Sequence, residues 1–134
     1  GSNTREDFQE AYKFGSVVIP ARKALSLGAE EVIKMIPEAK NYYVTIDIDG
    51  YDMCYAPGVG SPSPGGLNYL FETDVLEGIA KKGNVVGFDL VEVAPQYDPS
   101  GITCRLGAMT MLAFLGYIMK ERELKKQLKA QSAH

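Results

Sequence analysis

The sequence predicts an α/β fold with a mainly parallel sheet, and three observations predict it. Two apolar runs, residues 42–49 and 85–93, read as strands, the first buried on both faces and the second continuous and rich in β-branched residues. Helical segments alternate with the apolar runs, and a helix between central strands implies parallel pairing through right-handed crossovers. Both runs end in acids, Asp47 and Asp49 in the first and Glu92 in the second. Open parallel sheets bind ligands at such carboxyl ends.

The elements follow in order. A helix is expected over residues 4–13, capped by Asn3 or Thr4, with Asp7 near its positive end and Phe8, Ala11 and Tyr12 as its apolar stripe. Gly15 stops it, and residues 16–19 read as a short strand before Pro20. Residues 29–36 form a helix with Ala29, Ile33 and Ile36 on one face, ended by Pro37. After the first long strand comes a loop, residues 50–66, rich in Pro and Gly and expected to be ordered and functional. Asn68 caps a helix over residues 69–82, with Lys81 and Lys82 at its negative end and Gly83 as its stop. The second long strand leads through Asp98-Pro99-Ser100 to a last helix reaching about residue 129. Leu106, Met109, Leu112, Ala113 and Ile118 are its expected buried face.

Composition narrows the function. The 134 residues suit one domain, and 46% hydrophobic content is ordinary for a globular chain. A net charge of −3 and a pI near 5.2 speak against a nucleic-acid partner. Basic residues gather only at 120–129, where acids alternate with them as on a solvated helix. The most apolar stretch, residues 106–119, is shorter than the ~20 residues of a membrane span, so no membrane partner is expected. Cys54 and Cys104 have neither metal spacing nor a disulfide framework, and the N-terminus lacks a signal-peptide pattern; both suit a cytoplasmic location. The single histidine is His134, so a site needing imidazole could not be built from this chain alone.

Chemistry concentrates in Asp47-Ile48-Asp49-Gly50-Tyr51-Asp52. Two acids two residues apart on a strand point to one side and repel unless a cation or proton lies between them, which marks a hard-metal site. A helix–loop–helix calcium loop fits poorly, because Gly50 falls at position 4 instead of 6. A hydrogen-bonded turn explains Asp52 but not three acids at a strand end. A phosphotransfer aspartate does not account for the Pro- and Gly-rich loop that follows.

The longer phrases add a resemblance. Thr45-Ile46-Asp47-Ile48-Asp49-Gly50-Tyr51-Asp52, Ala56-Pro57-Gly58-Val59-Gly60-Ser61-Pro62, Pro64-Gly65-Gly66 and Phe88-Asp89-Leu90-Val91-Glu92-Val93-Ala94-Pro95 resemble the ureohydrolase family. That family includes arginase, agmatinase, guanidinobutyrase, proclavaminate amidinohydrolase and formimidoylglutamase. The resemblance implies a three-layer α-β-α, arginase-like domain, with residues 1–134 as its C-terminal part and 120–134 as a charged helical tail. It implies a binuclear Mn2+ centre whose bridging hydroxide attacks the guanidinium carbon of a small, agmatine-like substrate, giving an amine and urea in polyamine metabolism. It makes Asp47 and Asp49 manganese ligands and Glu92 the carboxylate that holds the guanidinium. Ser61 and Asp52 stand near the substrate or behind the ligands, with Asp52 bonding loop amides. Asp89, inside the strand, is expected to have a structural partner. A trimer or hexamer of identical chains is implied for the intact enzyme.

Departures accompany it. Met53 stands where a proline is common, and Val59 and Ser61 where threonines are frequent. The family's Gly-Gly-Asp-His and Asp-Ala-His-x-Asp segments, which supply further ligands, do not occur in this sequence. Gly1-Ser2-Asn3 reads as a tag scar or as an interior stretch of a family member. The chain is therefore expected to be inactive alone, and to associate through an exposed sheet edge. A non-catalytic fragment or regulatory homologue of the same fold is the alternative.

Overall fold

The computed structural model describes residues 4–132; Gly1-Ser2-Asn3, Ala133 and His134 lie outside the described residues. The elements are α1 (Arg5–Lys13), α2 (Ala21–Leu27), α3 (Ala29–Met35), β1 (Asn41–Asp47), α4 (Tyr69–Lys82), β2 (Asn84–Val91) and α5 (Ile102–Gln131). Single 3-10 turns, Ile48–Gly50 and Pro95–Tyr97, follow the two strands.

β1 and β2 pair in parallel, from Asn41 opposite Asn84 to Asp47 opposite Val91, with an irregularity at Tyr42/Tyr43. Val44 and Ile46 of β1, with Val85, Phe88 and Leu90 of β2, meet Leu76 and Ala80 of α4 and Phe114 and Ile118 of α5. This cluster fixes the strands, and with them the height at which each releases its acids. The other sheet face carries Tyr43 and Thr45, and Tyr43 is 64% exposed. The expectation that the first strand is buried on both faces is therefore corrected. Among the described residues α4 and α5 cover one face of the sheet, so alternate residues of β1 stay open on the other. On the open face the Tyr43 hydroxyl donates to Asp89 Oδ2 at 2.7 Å, the partner expected for that acid. Asp89 Oδ1 is buried without a hydrogen bond.

Local signals explain most element ends. Thr4 and Asp7 form a reciprocal capping box, which satisfies two amides at the start of α1. The Phe8, Ala11, Tyr12 stripe of that helix has no buried member among the described residues. The Asn68 side chain accepts from the Phe71 N–H at 2.9 Å, and α4 ends at Lys82 before Gly83, as expected. Residues 16–19 form no strand; no strand lies alongside to take up their backbone hydrogen bonds among the described residues. Ala21–Leu27 is an additional helix, joined to α3 through Gly28, whose φ of +82° suits glycine.

The buried stripe of α5 also differs from expectation. It is Thr103, Gly107, Thr110, Phe114 and Ile118, whereas Met109 and Leu112 are exposed and Leu106 and Ala113 half-buried. Small residues at 103, 107 and 110 let the helix approach closely. A Cβ on Gly107 would stand 3.1 Å from Ile48 Cδ1. By length and composition α5 could cross a membrane, with mean hydropathy 1.5 in its most apolar window, yet its stripe packs on the sheet and α4.

Asp98 locks the entry to α5. Its Oδ2 accepts from the Thr103 N–H at 2.7 Å, and its Oδ1 accepts from the Ser100 hydroxyl. Thr103 Oγ1 in turn accepts from the Gly58 N–H at 2.7 Å, tying this joint to the loop. The Ser100 hydroxyl and the Thr103 amide hold the Asp98 carboxyl down from its ordinary 3.8 to about 2. A depressed carboxyl contributes stability that is complete above the unfolded value and is lost as pH falls through the folded one. Stability from Asp98 is thus expected to disappear between about pH 4 and pH 2. Acid unfolding followed by circular dichroism checks this. Asp98→Asn should be less stable at neutral pH and lose less across that window; parallel wild-type and mutant profiles would rule the contribution out.

Candidate functional site

The site starts from the end of β1. Asp47 is the last strand residue, and Asp49 lies in the 3-10 turn that follows. The two acids are therefore not related by strand alternation, as the spacing alone suggested. The Asp49 N–H donates to Asp47 Oδ1 at 3.1 Å, so the turn itself folds the second acid back beside the first. Ile48 anchors the turn: it is fully buried in a cluster with Tyr51, Ala56 and Val59, against which Leu90, Val93 and Leu106 pack.

Glu92 leaves the end of β2. Asp47 pairs with Val91, so Glu92 emerges one residue beyond the level of Asp47. Its φ is +66°, the only left-handed non-glycine among the described residues. Such a conformation costs about 1 kcal/mol or more and persists only where the surroundings impose it. Electrostatics joins the three acids. Burial, then repulsion from Asp47 and a hydrogen bond with it, then Glu92, raise the Asp49 carboxyl above its ordinary value. Asp49 thus lies within reach of the charges of both Asp47 and Glu92.

Asp52 serves the loop. Its Oδ1 accepts from the Cys54 N–H at 2.9 Å and its Oδ2 from the Gly65 N–H at 2.7 Å, which holds its carboxyl low. Together with the Asp52 N–H on the Leu67 carbonyl, these bonds close residues 50–66 into a fixed hoop. The backbones pass so closely that a Cβ on Gly66 would lie 2.4 Å from the Asp52 nitrogen. Tyr51, Ala56 and Val59 pack inward with Ile48, and the Tyr51 hydroxyl bonds Thr110 Oγ1 at 2.8 Å. Val59, where the family often has threonine, is buried in this cluster. Ser61 is exposed on the loop, and its hydroxyl makes no hydrogen bond among the described residues.

Hard carboxylate oxygens suit a hard divalent ion, and a cation would relieve the repulsion that raises Asp49. The donor chemistry therefore fits a metal, with two ligand candidates supplied here. Among the described residues no group of three or more His, Cys, Asp or Glu is placed to hold one. Residues that sequence reasoning did not single out are Thr103 and Thr110, which hold the loop against α5 through Gly58 and Tyr51.

Comparison with known proteins completes the description. Residues 1–116 match the arginase family. Guanidinobutyrase of Pseudomonas aeruginosa is 35% identical over 115 residues, covering 84% of this chain and 36% of that protein. Agmatinase of Halalkalibacterium halodurans is 42% identical over 100 residues, 74% of this chain and 34% of that protein. The crystal structure of agmatine ureohydrolase of Thermoplasma volcanium superposes with a TM-score of 0.80 at 31% identity, over 92% of this chain and 41% of that one. The chain spans about a third of the length of the curated relatives it matches.

Proposed function

This chain belongs to the arginase family, and on that premise we propose that the protein carrying it hydrolyses an agmatine-like guanidino compound to an amine and urea. The observation that carries the proposal is that Asp47, Asp49 and Glu92 lie at the carboxyl ends of two parallel strands, with Asp49 under the charge of both others. Asp47 and Asp49 would hold manganese, the remaining ligands coming from outside this chain. When bound, a pair of divalent ions supplies Lewis acidity and lowers the pKa of water held between them. Glu92 would receive the guanidinium, whose planar donors match a carboxylate in a bidentate pair. Its left-handed backbone sets the direction in which that carboxylate leaves the strand. Asp52 keeps the loop rigid, and Ser61 offers a free hydroxyl on it.

Agmatine is favoured among guanidino substrates by the phrases Pro64-Gly65-Gly66-Leu67 and Val91-Glu92-Val93-Ala94-Pro95. The proposal extends to polyamine metabolism and to a cytoplasmic setting, which suits the free thiols Cys54 and Cys104. It extends also to a homo-oligomer, trimer or hexamer, for which exposed apolar residues such as Leu112 and Met119 offer contact surface.

The test is manganese-dependent urea release by the natural gene product, with agmatine, arginine and guanidinobutyrate compared side by side. Agmatine is expected to give urea fastest, and the isolated 134-residue chain to give none. Absence of both urea and bound manganese in the natural product would overturn the proposal in favour of a non-catalytic homologue.

A further inference from the structure

We propose that the cavity between α2, α3 and the first turn of α4 binds a small aliphatic ammonium ion, with Glu72 as its counter-ion. The cavity has a volume of about 290 Å³. Ile19, Ala24, Val32, Leu67, Phe71 and Val75 wall it with hydrocarbon, and Gly50 closes one side. Glu72 is the one charged residue lining it.

An acid in the first turn of a helix ordinarily faces water, where the helix dipole favours it ionised. Glu72 instead lies partly buried among apolar side chains, and its carboxylate makes no hydrogen bond or ion pair among the described residues. Burial raises its carboxyl above the ordinary range. An unpaired buried acid adds nothing to stability, because its desolvation goes uncompensated. A cleft that combines apolar walls with one perturbed titratable group has the composition of a ligand site.

The chemistry of the ligand follows from the lining. A hard metal ion seeks about six oxygens, and here one carboxylate stands alone. A primary ammonium on a short alkyl stem satisfies both parts: the charge pairs with Glu72 and the stem replaces water on the walls. The volume, at the lower edge of small-molecule pockets, suits a stem of about four carbons. This inference rests on the cavity alone and is independent of the proposed hydrolysis.

The probe is n-butylammonium, titrated into the 15N-labelled 134-residue chain, with n-butanol as the uncharged control. Saturable amide shifts are expected at Gly50, Leu67, Phe71 and Val75, at lower concentration than for butanol. Glu72→Gln should weaken butylammonium binding about tenfold or more while leaving butanol unchanged. Ala21→Leu, which narrows the cavity with Glu72 in place, should abolish the shifts and decides the matter should Glu72→Gln fail to fold. No saturable shift in the wild type, or equal binding of butanol and butylammonium, would overturn the inference.

Discussion

Phe114→Ala is expected to remove about 3–5 kcal/mol of stability, a large share of what a domain of this size possesses. Phe114 is fully buried and packs with Ile46, Leu76, Val85 and Ile118. Its ring meets Phe88 edge to face, with centroids 4.9 Å apart. Truncation would empty the point where α5, α4 and both strands converge, and close packing leaves little to fill the space. Leu112, two residues earlier on the same helix, is 64% exposed. Leu112→Ala should therefore change stability by no more than about 0.5 kcal/mol. The chain has no tryptophan, so urea unfolding followed by far-UV circular dichroism is the suitable readout. Equal losses at the two positions would mean that α5 presents a different face to the sheet. Because Ile46 immediately precedes Asp47, loosening this core is also expected to loosen the strand end that carries the acids.

That pair of mutations separates what hydrophobicity reveals from what it hides. Counting apolar residues assigns Met109 and Leu112 to the core, since a large apolar side chain is the usual sign of burial. In α5 the decisive residues are instead Thr103, Gly107 and Thr110. They earn their place by being small, so that Ile48 and the Tyr51 hydroxyl can reach the helix. Nothing in a single sequence marks smallness as contact. By contrast, α4 was legible to both ends, because Asn68, Lys81, Lys82 and Gly83 are local signals that act without tertiary help. The strand over residues 16–19 illustrates the reverse case. Its residues accept an extended backbone, but a strand needs a neighbour, and none lies beside it among the described residues.

The candidate site shows the same division. Asp47 and Asp49 could be picked out from the sequence as a candidate site, because paired acids at a strand end demand a cation or a proton, and Glu92 by its place at the end of the second strand. Their geometry could not. Asp49 leaves the strand through a 3-10 turn, and that turn is anchored by the burial of Ile48, a tertiary event. The left-handed backbone of Glu92 was likewise hidden, since glutamate has no preference for it.

Glu92 should therefore give the most telling functional result. In the natural gene product, Glu92→Gln is expected to lower kcat/KM for urea release by at least about a hundredfold, because on the proposed reading a neutral amide replaces the charged, bidentate partner of the guanidinium. Bound manganese should be unchanged. Asp49→Asn should differ in kind: manganese content and turnover should fall together, since a proposed ligand is lost. Metal analysis beside steady-state kinetics distinguishes the two, and loss of manganese in Glu92→Gln would move Glu92 from the substrate to the metal. A third variant tests why the strain is there. Glu92→Gly relieves a φ of +66°, so the isolated chain should gain about 1 kcal/mol in urea unfolding. The same change in the natural product should abolish turnover. Stability gained where activity is lost is the signature of a residue held in an unfavourable conformation for its chemistry. A glycine variant that is less stable would instead make Glu92 a structural residue of the β2 end.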